Sequence, residues 1–221
     1  MMEPESRWIG QKLIELTENA NDFVMLNVGS STKRFREVSQ PHINDNVFKP
    51  LQERCRVDHL DIKAHDGVDL VGDLTNPDFQ QELKLKRYDA ILCSNLLEHV
   101  RSPIEICRSM EECVKSGGYL IVTVPYLYPY HNDPIDTMFR PDVSELSLCF
   151  ENSSLEGGAI LNDDNSYFTY LFRDKKVMIL TAIRWLIPFY KFEEWKKMIS
   201  YVPHIFTSCR VTCVVMRKNL S

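Results

Sequence analysis

Residues 88–125 read YDAILCSNLLEHVRSPIEICRSMEECVKSGGYLIVTVP, and this stretch decides the fold. Ala90-Ile91-Leu92-Cys93 is a short apolar run of the length of a buried strand. Residues 119–124 form a second run, rich in β-branched side chains. The segment between them has the ends of a helix. Ser102 suits the N-cap, Pro103 the first helical position, and Glu105 stands where it would close a capping box on Ser102. Ile106, Met110 and Cys113/Val114 recur on one side as an inward stripe. Lys115 suits the last turn, and Gly117-Gly118 would supply a left-handed exit. A strand, a helix and a second apolar strand predict a right-handed crossover in a parallel sheet. Ligands bind such sheets beyond the carboxyl ends of the strands. That draws attention to residues 94–99 and to the chain from Pro125 onward.

Working outward, residues 5–20 read as a helix, with Trp8, Ile9, Leu13, Leu16 and Ala20 at helical spacing. Residues 23–28 form a strand without a charge, which places it in the middle of the sheet. Gly29-Ser30-Ser31-Thr32 follows at once, and a glycine there lets the backbone turn tightly and approach a ligand. The ordinary strand-to-loop turn is an equally good reading of that glycine alone. Residues 46–54 are a short helix candidate. Residues 57–62 and 68–74 alternate apolar and polar positions, and they carry Asp61 and Asp73 near their ends. A carboxylate at a strand end can accept from ribose hydroxyls or a base amine, although for either aspartate alone a helix cap or a turn is the first reading. Asn76-Pro77 opens another helix, ending near Lys86.

The chain has 221 residues, 44% hydrophobic and 26% charged, and a formal charge of −5. One domain spanning residues 1–221 is the economical reading, and the charge argues against a bulk nucleic-acid binder. The seven cysteines are scattered and form no CxxC pair, so neither a disulfide framework nor a zinc ribbon is indicated. A reduced, cytoplasmic setting follows. The first residues lack a signal-peptide pattern, and the apolar stretch 177–190 is broken by Arg184 and Pro188, too short to span a bilayer.

The order glycine turn, acid-ended strand, acid-ended strand, then YDAILCSNLLEHV and SGGYLIVTVP resembles the class I S-adenosylmethionine-dependent methyltransferases, type 11-like. The resemblance covers about residues 21–150, and HNDPIDTMFRPDVSEL resembles a subgroup pattern after the fifth strand. It implies a Rossmann-like, mostly parallel sheet of seven strands, helices on both faces and a reversed last strand, for which residues 209–216 are suited. It implies S-adenosyl-L-methionine as cofactor. Gly29 and Ser30 would bring backbone to its methionyl part, and Asp61 would bind the ribose hydroxyls. Asp73 and the Leu74 backbone would hold adenine, while Ser94 and Asn95 would lie beneath the sulfonium. The first motif departs from the family pattern. Asn27 stands where an acid commonly helps hold the cofactor's amino group, and Ser31 and Lys33 replace glycines. These departures keep a non-catalytic relative in view.

Methyl transfer from a sulfonium is an in-line displacement, and a hydroxyl or ammonium acceptor must lose a proton. His131 and His99 are the candidate bases. His131 lies in a loop with Tyr126, Tyr128 and Tyr130, where Tyr128, Asp136 and Arg140 would meet the substrate. The same loop reads equally as a staple in which Asp136 and Arg140 pair. His99 reads either as half of a structural pair with Glu98 or as a base at the mouth of the site. Two adjacent residues do not make a coordination sphere, so no metal is assigned to Glu98 and His99.

Residues 155–161 suit a sixth strand and residues 162–165 a polar turn. The aromatic stretch 167–198 suits core, a lid or insertion within residues 162–206, a homodimer face or a membrane-surface helix. The expectation is a methyltransferase acting on a small molecule or a glycan, at oxygen. The rivals are a non-catalytic binding protein and a methyltransferase acting on protein or nucleic acid.

Overall fold

A computed structural model describes residues 1–18, 20, 22–128, 130, 135–166, 179, 195 and 208–220. Its centre is a seven-stranded sheet in the order β3-β2-β1-β4-β5-β7-β6. The strands are β1 (Phe23–Val28), β2 (Cys55–Asp61), β3 (Leu70–Val71), β4 (Tyr88–Ser94), β5 (Val114–Leu127), β6 (Ser153–Ser166) and β7 (Ser208–Lys218). Strands β3, β2, β1, β4 and β5 pair in parallel, and β7 runs antiparallel to both neighbours. This is the sheet of the class I methyltransferase fold.

The helices are α1 (Glu3–Thr17), α2 (Pro41–Ile43), α3 (Pro77–Leu85), α4 (Pro103–Cys113) and α5 (Val143–Ser147). Two apolar cores flank the sheet because the central strands are apolar on both faces. Ile9 and Leu13 of α1 pack with Met25, Val47, Leu92 and Ile121 on one face. Ile106, Met110 and Cys113 of α4 pack with Leu26, Ile91, Val122 and Val214 on the other. The stripe read from α4 is the one that is buried.

Several expectations are corrected. The first helix spans Glu3–Thr17 rather than 5–20. Residues 46–54 form no regular helix. A π-helical turn at Asn44–Phe48 runs into a 3-10 turn at Lys49–Leu51, with Pro50 inside it lacking the N–H that a regular ladder requires. The strand read at 68–74 shrinks to Leu70–Val71. Ser102 makes no side-chain cap bond, so Glu105 closes no box, although Pro103 does open α4. Gly117 has φ +73°, as expected, but it lies inside β5, because α4 has already ended at Cys113. There the pairing with β4 slips between Tyr88 and Ala90. The polar turn read at 162–165 belongs to β6, and the register shift between Asn162 and Ser166 absorbs the extra residues. Beyond Ser166, the 162–206 segment lies outside the described residues except for Ile179 and Trp195. Among the described residues no helix is long and apolar enough to cross a membrane.

Candidate active site

The strand order reverses between β1 and β4, so their carboxyl ends flank the crevice where a parallel sheet presents ligands. A cavity of 720 Å³ lies there, within the usual range of about 300–1,000 Å³ for small-molecule sites. Asn27, Gly29, Ser30 and Ser31 line it from the β1 end, and Ser94, Asn95, Glu98 and His99 from the β4 end. Glu5 of α1 borders one side, Tyr128 stands just past β5, and Asp163 belongs to β6. Three of the turning residues have positive φ: Gly29 at +69°, Ser31 at +56° and Asn95 at +50°. Left-handed backbone is uncommon at serine and costs free energy, so its recurrence around one cavity marks a held geometry. A Cβ on Gly29 would stand 3.1 Å from the Leu96 side chain, which leaves room for little but glycine.

The loop after β1 is tied on every side. Ser30 N–H donates to the Leu60 carbonyl at 2.9 Å, and Ser31 N–H donates to Asp61 Oδ2 at 2.9 Å. Arg36 is buried beneath the loop. Its Nη1 donates to the carbonyls of Ser30 and Ser31, both at 2.8 Å, and its Nη2 to the Gly67 carbonyl at 2.7 Å. Asn27 is buried, and its Nδ2 donates to His59 Nδ1 at 3.0 Å. Burial, then the nearby Arg36 charge, pushes His59 down to about 4, so the ring is neutral and can accept. That leaves Asn27 Oδ1 as an acceptor at the cavity.

The β4 end is joined to β5 and to α1. Asn95 N–H donates to the Thr123 carbonyl at 2.9 Å. Glu5 is fully buried and accepts from Asn95 Nδ2 at 2.7 Å, Thr123 Oγ1 at 2.6 Å and Met2 N–H at 2.9 Å. The next turn, Leu97–His99, presents Glu98 and His99. Glu98 is fully buried, and burial pushes its carboxyl up to about 7. His99 Nδ1 donates to the Ile135 carbonyl at 2.6 Å, and its Nε2 lies 3.6 Å from Glu98 Oε1. The Glu98 carbonyl in turn accepts from Thr137 N–H at 2.9 Å, so this turn is sewn to the chain after β5.

Of the residues singled out from sequence, Asn27, Gly29, Ser30, Ser94, Asn95, His99 and Tyr128 meet at the cavity. Asp61, Asp73, Leu74, Asp136 and Arg140 do not line it. Asp61 accepts from Ser31 and Lys63 N–H groups, and exposed Asp73 accepts from Thr75 N–H at 2.9 Å and Thr75 Oγ1 at 2.8 Å. Asp136 and Arg140 form the ion pair that was one of their two readings, at 2.6 Å. His131 lies outside the described residues. Sequence reasoning missed Glu5, Arg36 and Asp163. A glutamate in a first helical turn reads as a dipole partner, and Asp163 read as a turn. Among the described residues no group of three potential metal ligands is assembled.

The chain matches the model of a methyltransferase domain family over residues 22–151, more than half its length, and it belongs to that family. The family uses S-adenosylmethionine. Among solved structures it resembles coclaurine N-methyltransferase bound to N-methylheliamine and S-adenosylhomocysteine. That match has TM-score 0.57 and 15% identity, over 96% of this chain and 70% of that one. It also resembles the [4+2]-cyclase SpnF, with TM-score 0.60 and 14% identity over 97% and 82% of the two chains. A SAM-dependent methyltransferase from Archaeoglobus fulgidus gives TM-score 0.55 and 11% identity over 98% and 94%. At such identities the likeness is one of fold. A search of curated proteins returns no match in sequence.

The residues at hand suit the cofactor at its methionyl end. Gly29, Asn27 Oδ1, Ser30, Ser94 and Asn95 surround the same space, and the side chains among them supply polar partners. The ribose and adenine candidates, Asp61 and Asp73, do not line the cavity.

Proposed function

We propose that the chain transfers a methyl group from S-adenosylmethionine to a small-molecule or sugar acceptor, at oxygen. The observation that carries this reading is the cleft at the switch point between β1 and β4, lined by polar groups from both loops and by Glu5 of α1. A cleft of this size suits a small acceptor, and a net charge of −5 weighs against nucleic acid.

The cofactor, when bound, supplies a methyl group on a positively charged sulfur. The rest is work for this chain. Asn27, Gly29, Ser30, Ser94 and Asn95 hold and orient the methionyl end. Asp61 and Asp73, with the Leu74 backbone, serve the adenosine end. The carboxylate of Glu5 suits a site that must accommodate positive charge. Glu98, His99 and Tyr128 wall the acceptor side, and the Asp136–Arg140 pair fixes the segment that carries His99's partner carbonyl at Ile135. Holding donor and acceptor in line accounts for most of the acceleration in such a displacement.

Calorimetry with S-adenosylhomocysteine, followed by a panel of sugars and hydroxylated small molecules with labelled methyl donor, tests the reading. Binding and labelled product are expected. Absence of binding would make the chain a non-catalytic relative, and label found only on protein or RNA would overturn the small-acceptor assignment.

A further inference from the structure

The two glutamates at this cavity differ in one respect. Glu5 accepts three hydrogen bonds. Glu98 is equally buried, yet neither of its carboxylate oxygens has a hydrogen-bond partner among the described residues. A buried carboxyl group left without partners carries the full cost of lost hydration. The groups facing it are few. His99 approaches from the same turn, Glu5 from α1, Arg140 from the chain before α5 and the Cys93 thiol from β4. Glu5 is a like charge. Arg140 is already held by Asp136 at 2.6 Å. The Ile135 carbonyl can only accept, so His99 Nδ1 must carry the proton of that 2.6 Å bond. His99 Nε2 stands 3.6 Å from Glu98 Oε1, beyond hydrogen-bond distance. Among the described residues nothing gives this carboxylate a short donor, and it borders the cavity.

We infer that Glu98 is a catalytic residue that receives the acceptor's hydroxyl as its missing donor and takes the hydroxyl proton during transfer. The inference rests on the proposed transfer to oxygen. The acceptor oxygen uses a lone pair to form the O–CH3 bond. The methyl–sulfur bond breaks, and its electron pair stays on sulfur, which becomes a neutral thioether. The hydroxyl proton moves to a Glu98 oxygen. One positive charge on sulfur and one negative charge on Glu98 disappear together, so no net charge is created. The raised affinity of Glu98 for a proton, with ionisation centred near neutrality, is what a base needs at working pH. His99, held by Ile135, is a positioning residue that keeps the turn in place.

Three measurements on wild type, Glu98→Gln and Glu98→Asp test this. In the complex with S-adenosylhomocysteine, the infrared difference between wild type and Glu98→Gln should contain one carboxyl band that disappears with a midpoint near pH 7. S-adenosylhomocysteine affinity should stay within about threefold in both variants. With an acceptor from the panel, turnover of Glu98→Gln should fall by about 10²–10⁴-fold, and Glu98→Asp should recover part of it. A purely structural Glu98 would instead lower thermal stability and cofactor affinity together. A Glu98 ionised at every pH between about 5 and 9, or a Glu98→Gln enzyme with undiminished turnover, overturns the assignment. If no acceptor on the panel is methylated, the proposed function fails, and the infrared titration still judges Glu98 by itself.

Discussion

The loop after β1 and the turn after β4 meet at one cavity and are built in opposite ways. After β1, hydrogen bonds within the protein take up the carbonyls of Ser30 and Ser31 and both their amides, with Arg36 at the centre. After β4, the backbone is tied down just as firmly, yet among the described residues the Glu98 side chain has no hydrogen-bond partner. The first arrangement is a scaffold whose shape is complete before any ligand arrives. The second leaves a polar group that a ligand can satisfy. Stability should therefore reside in the first loop and chemistry in the second, and mutations should separate the two.

The largest expected effect is at the scaffold. Arg36→Ala removes the donor from three carbonyls in a buried place. Hydrogen bonds to charged groups contribute about 1.5–3 kcal/mol each and do not add fully, so the loss should be on the order of 4 kcal/mol. Urea unfolding measures it. Arg36→Lys should recover only part, because an ammonium cannot reproduce the planar fork that spans Ser30, Ser31 and Gly67. A stable Arg36→Ala protein would mean that the loop keeps its form without its centre.

Next comes the pH dependence of Glu98. Its carboxyl is raised in the folded chain from 4.5 to about 7. A raised folded value favours the protonated, folded form. That contribution is present below pH 4.5 and is lost as pH rises through about 7. A shift of this size corresponds to on the order of 3 kcal/mol. Unfolding free energies of wild type and Glu98→Gln, measured from pH 4 to pH 9, should thus diverge, with wild type losing stability relative to the variant across that window. Parallel curves would show that Glu98 has a partner and that the contrast between the two loops is false.

The division between legible and illegible follows the same physics. Strands β1, β4 and β5 are continuous apolar runs because both sheet faces are covered, and that pattern is local. The glycine turn at Gly29 and the last strand were readable for similar reasons. The Asp136–Arg140 pair was readable from spacing alone. Glu5 was not, because its role depends on Asn95 and Thr123, which lie 90 and 118 residues away. Glu98 was legible as half of a pair with His99. Its want of a hydrogen-bond partner is a property of packing, which no spacing rule contains. Residues 162–165 misled because a polar run inside a bulged strand has the composition of a turn.

A smaller effect is expected at Asp61, which touches the scaffold loop and, by family resemblance, the ribose. Asp61→Ala removes the acceptor of the Ser31 amide and of any ribose hydroxyl. Affinity for S-adenosylhomocysteine should fall by about one to two orders of magnitude, with the fold retained. Unchanged affinity would remove Asp61 from the site and confine the cofactor contacts to the cavity itself.

The smallest expected effect is at Asp73. The resemblance gives it the adenine, as it gives Asp61 the ribose, but the surroundings differ. Asp61 is tied to the cavity through Ser31, whereas Asp73 is exposed and its Oδ1 already serves the Thr75 amide and hydroxyl. A contact made there stays in competition with water, and a net hydrogen bond is then worth about 0.5–1.5 kcal/mol. Asp73→Ala should lower S-adenosylhomocysteine affinity by less than about tenfold. Asp73→Asn keeps an acceptor oxygen and should fall between wild type and alanine. Stability should change by no more than about 1 kcal/mol, since only a surface turn is loosened. Calorimetry on the three proteins side by side measures the series. A loss beyond about a hundredfold in Asp73→Ala would mean that adenine binding shields this carboxylate from water, and that the site extends from the cavity out to the end of β3.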